Sequence, residues 1–134
     1  MSGMDCKIVF YSARKTAYCE KILKRFFSVS GLCLRGTSFS TDAVGLGERL
    51  CAAFEDCAAV FVVGGLDFGD KRNTAEIISR AVNADKVDYY GRIKNKSGPD
   101  GYLLRAGESY LILLPDEPRH IEEMTEQIGF LIDN

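Results

Sequence analysis

Two stretches of this chain combine residue types that handle anions. The first is Val63-Gly64-Gly65-Leu66-Asp67-Phe68-Gly69-Asp70-Lys71-Arg72-Asn73-Thr74. Paired glycines carry no Cβ, so a ligand can come close to the backbone. Asn73 and Thr74 are capping residue types for a helix behind the loop. The start of such a helix presents unpaired amide hydrogens and a partial positive charge. An anion there gains roughly 0.3–1 kcal/mol, rising to about 2 kcal/mol where it is partly buried. Lys71 and Arg72 add to that field, while Asp67 and Asp70 subtract from it. The second stretch is Leu114-Pro115-Asp116-Glu117-Pro118. Its prolines stiffen a turn whose carboxylates could cap the following helix, bind Mg²⁺ or face water. Hard cations take oxygen ligands, and Mg²⁺ often pairs one or two carboxylates with substrate phosphate. Asp67, Asp70 and Asp116 are therefore the candidate metal ligands, on the condition that the two loops converge.

Spacing excludes the commoner phosphate fingerprints. The first loop is not G-x-G-x-x-G, and Asp70 stands where G-x-x-x-x-G-K-[ST] requires lysine. A tight turn is the competing account of Gly64-Gly65. The single histidine, His120, argues against a catalytic triad or a multi-histidine metal centre. The cysteines, Cys6, Cys19, Cys33, Cys51 and Cys57, follow no C-x-x-C pattern and are expected to be buried free thiols. A net charge of −2, with lysines and arginines in small scattered groups, argues against a nucleic-acid partner. Apolar residues make up 46% and charged residues 27% of the chain, and no apolar run has membrane-spanning length. Met1–Lys7 holds no apolar stretch of signal-peptide length, so the expected compartment is the cytoplasm.

The elements that must position these loops alternate. Lys7–Tyr11 reads as a buried strand. Tyr18, Cys19, Ile22, Leu23, Phe26 and Phe27 recur at helical spacing, closing before Ser30-Gly31. Leu32–Arg35 is a weak second strand, and Ser38–Asp42 supplies capping chemistry for a helix marked by Leu46, Leu50, Cys51 and Phe54. Ala58–Val63 is apolar throughout, which places it centrally in a sheet covered on both faces. A third helix follows Asn73-Thr74, with Ile77, Ile78, Ala81 and Val82 on its apolar side. Val87–Ile93 is a further strand. Tyr102–Arg105 and Ser109–Leu114 flank Ala106-Gly107-Glu108 as a hairpin. Ile121, Met124, Ile128, Leu131 and Ile132 mark a closing helix. The alternation implies crossover connections and a mainly parallel sheet. The 134 residues suit one α/β domain spanning 1–134. The hairpin argues against a flavodoxin-like or response-regulator-like arrangement.

At the two loops the chain resembles the molybdopterin-binding domain family, which includes molybdenum cofactor biosynthesis proteins and the N-terminal domain of CinA-like competence/damage-inducible proteins. The family's T-G-G-x-G-x-x-x-x-D-x-T is met by Val63–Thr74, with Gly64, Gly65 and Thr74 matching. Its L-P-G-x-P is met by Leu114–Pro118. Asp116 and Asp67 stand where the family has glycine, and Arg72 where it has an acid. Ser12-Ala13-Arg14-Lys15 replaces its G-[DN]-E. The resemblance implies a three-layer α/β sandwich, mainly parallel with a β-hairpin. It also implies a phosphorylated pterin or nucleotide held by Gly64, Gly65, Leu66, Asp67, Gly69, Lys71, Arg72, Asn73 and Thr74, with Pro115, Asp116, Glu117 and Pro118 alongside. Lys71 and Arg72 would be its phosphate partners. The implied roles are molybdenum cofactor biosynthesis or nucleotide pyrophosphate chemistry, resting on positioning and electrostatics. Self-association into a homo-oligomer is implied as well. The altered loops support an alternative, a family member without catalysis that serves as an interaction or oligomerisation module.

Overall fold

The structure is a computed structural model that describes residues 4–133. Its elements in chain order are β1 (Met4–Tyr11), α1 (Thr16–Ser30), β2 (Leu32–Ser40), α2 (Ala43–Phe54), β3 (Ala59–Val63), α3 (Thr74–Ala81), β4 (Tyr89–Ile93), β5 (Gly101–Ala106), β6 (Ser109–Leu114) and α4 (Pro118–Asp133). The six strands form one sheet in the order β2-β1-β3-β6-β5-β4. β1 pairs parallel with β2 and with β3, and β3 pairs parallel with β6. β5 runs against both β6 and β4. This is the mainly parallel α/β sandwich with a hairpin that the alternation of patterns predicts.

β3 shows why the sheet is covered on both faces. All five of its residues are buried. Ala59, Phe61 and Val63 pack toward α1 and α4, beside Cys19, Leu23, Phe27, Ile121, Met124 and Ile128. Val60 and Val62 pack on the opposite face with Leu46, Ala53, Ile77 and Ile78 of α2 and α3. Period-two alternation along the strand thus feeds two separate cores, one against each helical layer. No helix among the described residues is long and apolar enough to cross a membrane.

The structure differs from sequence expectation in several places, the first being β1, which begins at Met4 rather than Lys7. β2 runs on to Ser40, past the expected end at Arg35, because it follows the whole length of β1. It does so through a bulge: Cys6 pairs with Leu34 and Lys7 with Gly36, leaving Arg35 as the extra residue. Ser38 is therefore in the strand, and Asp42 alone caps α2, accepting from the Gly45 amide at 2.6 Å. The strand expected from Val87 begins at Tyr89, after a short 3₁₀ turn at Ala84–Lys86. The expected burial of all cysteines holds for Cys6, Cys19 and Cys57, whereas Cys33 and Cys51 are exposed. Cys33 sits on edge strand β2, and Cys51 lies on the outer side of α2.

Candidate functional site

β1 lies between β2 and β3, so the chain leaving β1 crosses to one side of the sheet while the next parallel strand lies on the other. In open α/β sheets the carboxyl ends of the strands at such a switch point form a crevice. Three loops meet there: Ser12–Lys15 after β1, Gly64–Asn73 after β3 and Pro115–Glu117 after β6. The two loops singled out in the sequence do converge. The Gly64 amide donates to the Leu114 carbonyl at 2.9 Å.

The glycine pair is explained from inside the protein. Gly64 and Gly65 have φ of 111° and 76°, the left-handed side of the map. A Cβ on Gly64 would strike the Tyr11 carbonyl, and one on Gly65 would strike Thr74 Oγ1 and the Tyr11 ring. Thr74 is fully buried, and its hydroxyl donates to the Gly64 carbonyl at 2.5 Å. The space in front of these glycines is therefore filled by Tyr11 and Thr74, where the sequence reading places an approaching ligand.

The start of α3 is also closed by contacts within the chain. The Thr74 amide donates to the Gly65 carbonyl at 3.0 Å. Asn73 Oδ1 accepts from the amides of Ala75 and Glu76 at 2.8 and 3.4 Å, so the cap uses up the helix's first donors. Arg72 is turned away as well. It grips the Asp70 carboxylate at 2.8 Å and lies over the Phe68 ring at 4.4 Å. The Tyr11 hydroxyl pins this part of the loop by donating to the Arg72 carbonyl at 2.8 Å. Gly69, Asp70, Lys71 and Asn73 border a separate open groove with Tyr90 and Tyr102.

The cavity at the switch point has a volume of about 640 Å³. From the expected set it takes Leu66, Asp67, Pro115, Asp116 and Glu117, and Pro118 opens α4 beside it. Its cations are Arg14, Lys15 and Arg119, with His120 and Pro99 completing the wall. Asp116 Oδ2 accepts from the Arg14 backbone amide at 2.7 Å and from Arg14 Nε at 3.4 Å. Arg14 Nη2 reaches Asp67 at 3.1 Å, and Lys15 Nζ reaches Glu117 at 2.6 Å. Lys15, helped by the Arg119 backbone amide, holds the Glu117 carboxyl below the usual carboxylate range. Lys15 is also the N-cap of α1, in left-handed conformation at φ 55°, and no side chain caps that helix. Unlike α3, α1 opens without a side-chain acceptor on its first amides.

No family model matches the chain, and no curated protein matches it. Solved structures do. CinA of Thermoplasma acidophilum, a protein of unknown function, superimposes with a TM-score of 0.76 at 15% identity, over 97% of this chain and 98% of that one. The molybdopterin biosynthesis Mog protein of Mycobacterium ulcerans gives 0.75 at 16% identity, over 98% and 95%. The tungsten cofactor synthesizing protein MoaB of Pyrococcus furiosus gives 0.69 at 11% identity, over 99% and 94%. The fold is that of CinA and Mog.

Within this CinA/Mog fold, Arg14, Lys15, Pro99, Arg119 and His120 are the cavity residues that sequence reading missed. Ser12–Thr16 reads as a plain polar turn, and its basic pair looks like a departure from a motif. The available signal was positional: β1 is the strand at which the sheet changes direction, and that is visible only once strand order is known. Of the candidate metal ligands, Asp67 and Asp116 come together and Asp70 does not, being held by Arg72. Arg14 lies between the two that do. No group of three or more histidine, cysteine, aspartate or glutamate side chains among the described residues is arranged to hold a metal. The residues present do not fit a resident Mg²⁺, because the Arg14 guanidinium is already paired with both carboxylates.

Proposed function

We propose that this chain binds a phosphorylated pterin or nucleotide in the switch-point cavity, in the service of molybdenum cofactor biosynthesis or nucleotide pyrophosphate chemistry. The observation that carries this reading is the placing of Arg14 and Lys15 at the uncapped start of α1, facing a cavity of about 640 Å³. That volume lies within the range of small-molecule sites, and helix starts are natural seats for phosphate. Arg14 and Lys15 take the phosphate-partner role that the sequence reading gave to Lys71 and Arg72. The Arg14 side chain is 74% exposed, against 12% for Asp116, so its ion pairs are formed largely in solvent. Exposed ion pairs are weak, so an incoming phosphate can replace the carboxylates on the two cations. The fold shared with a molybdopterin biosynthesis protein supports the pterin side of the reading.

The test is thermal unfolding with AMP, ATP, ADP-ribose and molybdopterin-type ligands, each with and without Mg²⁺. A ligand at one hundred times its Kd stabilises by about 2.7 kcal/mol. Arg14→Ala and Lys15→Ala are expected to abolish the shift, and Arg72→Ala to leave it intact. A shift that survives the first two variants and vanishes in the third would return the site to the β3–α3 loop.

One observation favours the second reading, an interaction module that self-associates. β4 is an open sheet edge carrying Tyr89 and Tyr90, which are 41% and 60% exposed. Sedimentation of the wild type and of Tyr90→Lys would separate the two readings, since loss of an oligomer without loss of any ligand response supports the module.

A further inference from the structure

We propose that His120 is a specificity-determining donor of the cavity, locked by Asn95 into the tautomer that carries its proton on Nε2. This rests on the reading of the cavity as a phosphorylated-ligand site, and it adds what that site demands at one point: an acceptor atom on the ligand.

The lock follows from counting donors and acceptors. Asn95 is 9% exposed and sits in the connection between β4 and β5. Its Oδ1 accepts from the Ser97 amide at 3.0 Å. Its Nδ2 lies 3.0 Å from the Pro99 carbonyl and 3.0 Å from His120 Nδ1. Turning the Asn95 amide over would set Oδ1 against the Pro99 carbonyl and the NH₂ against the Ser97 N–H, like against like at both ends. The orientation is thus fixed by backbone, and both Nδ2 hydrogens are committed. A carboxamide nitrogen cannot accept, so His120 Nδ1 must be the acceptor, and the neutral ring carries its hydrogen on Nε2.

The surroundings hold this arrangement in place. Asp100 accepts from the Asn95 backbone amide at 2.8 Å. Gln127 of α4 accepts from the Lys94 amide at 3.0 Å and donates to its carbonyl at 2.9 Å, so the connection is tied to the same helix that carries His120. Gly98 lets the ring lie close, since a Cβ there would come within 2.8 Å of Cε1. The Nδ1–Cε1 edge therefore faces Asn95 and Gly98, and His120 lines the cavity with Arg14, Lys15 and Glu117. Nε2 has no protein acceptor among the described residues. The ring offers the cavity a donor and no acceptor. A phosphate or carbonyl oxygen on the ligand satisfies it, whereas an amino group set there leaves two donors opposed.

His120 is the only histidine, so its imidazole signals need no assignment. Nitrogen-detected NMR of the free protein, well above the ordinary histidine range, is expected to show the Nε2–H form in the wild type. In Asn95→Leu a mixture with the Nδ1–H form is expected. A wild-type spectrum dominated by Nδ1–H overturns the lock without reference to any ligand. With AMP as probe, His120→Leu is expected to weaken binding about tenfold, the effect of one hydrogen bond. His120→Gln, which keeps a side-chain donor, is expected to stay within about twofold of the wild type. Equal affinity in the leucine variant and the wild type overturns the donor role, as does equal loss in both variants. If AMP, ATP, ADP-ribose and molybdopterin-type ligands all leave the wild type unmoved while the Nε2–H form is present, the binding reading and the donor role are both overturned and the lock stands.

Discussion

At the residue scale, charge and burial decide what each titratable group does. Glu117 titrates below the ordinary carboxylate range because Lys15 and the Arg119 amide favour its charged form. A carboxyl depressed in the folded state adds stability that is complete above its unfolded value and is lost as pH falls through the lower, folded one. Glu117→Gln removes that contribution, so its Tm should fall less than that of the wild type on acidification through the carboxylate range. Burial acts in the opposite sense on the thiols, pushing Cys6 and Cys19 up to about 12. Nucleophilic thiol chemistry needs the thiolate. A disulfide reagent should therefore label Cys33 and Cys51 in the native protein and reach Cys6, Cys19 and Cys57 only after denaturation. The sequence made all of these residues visible but not their partners. The sequence reading gave the phosphate to Arg72 and passed over Arg14, and the Asp70 and Phe68 contacts that hold Arg72 away from the cavity appear only in the fold.

At the element scale, the loop after β3 is a packed joint between strand and helix. Thr74 ties α3 to the Gly64 carbonyl, and Asn73 closes the helix start. Thr74→Val keeps the shape but removes the donor, leaving that buried carbonyl unpaired. The expected cost is about 1–3 kcal/mol, to be read from urea denaturation, with no change in the elements themselves. Elements were largely legible because their signals are local. The helical spacing of Cys19, Leu23 and Phe27 marks α1, and the unbroken apolar run marks β3. The full extent of β2 was not legible, because Gly36 and the polar residues after it are held in strand form by β1 across a bulge. Local propensity has no access to that partner.

At the scale of the whole molecule, strand order creates the site. The mainly parallel architecture could be inferred from alternation, but not that β1 flanks the switch point, and so the loop carrying Arg14 and Lys15 went unread. The cavity that results is prefilled with its own counter-charges: Arg14 against Asp116 and Asp67, and Lys15 against Glu117. An arriving anion must evict carboxylates that are part of the chain. Ionic strength weakens the incumbents and the newcomer alike, so the two effects partly cancel. Affinity for a phosphorylated ligand should then decline with added potassium chloride more gently than two bare cations would require. In Asp116→Asn the slope should steepen, because one resident competitor has been neutralised.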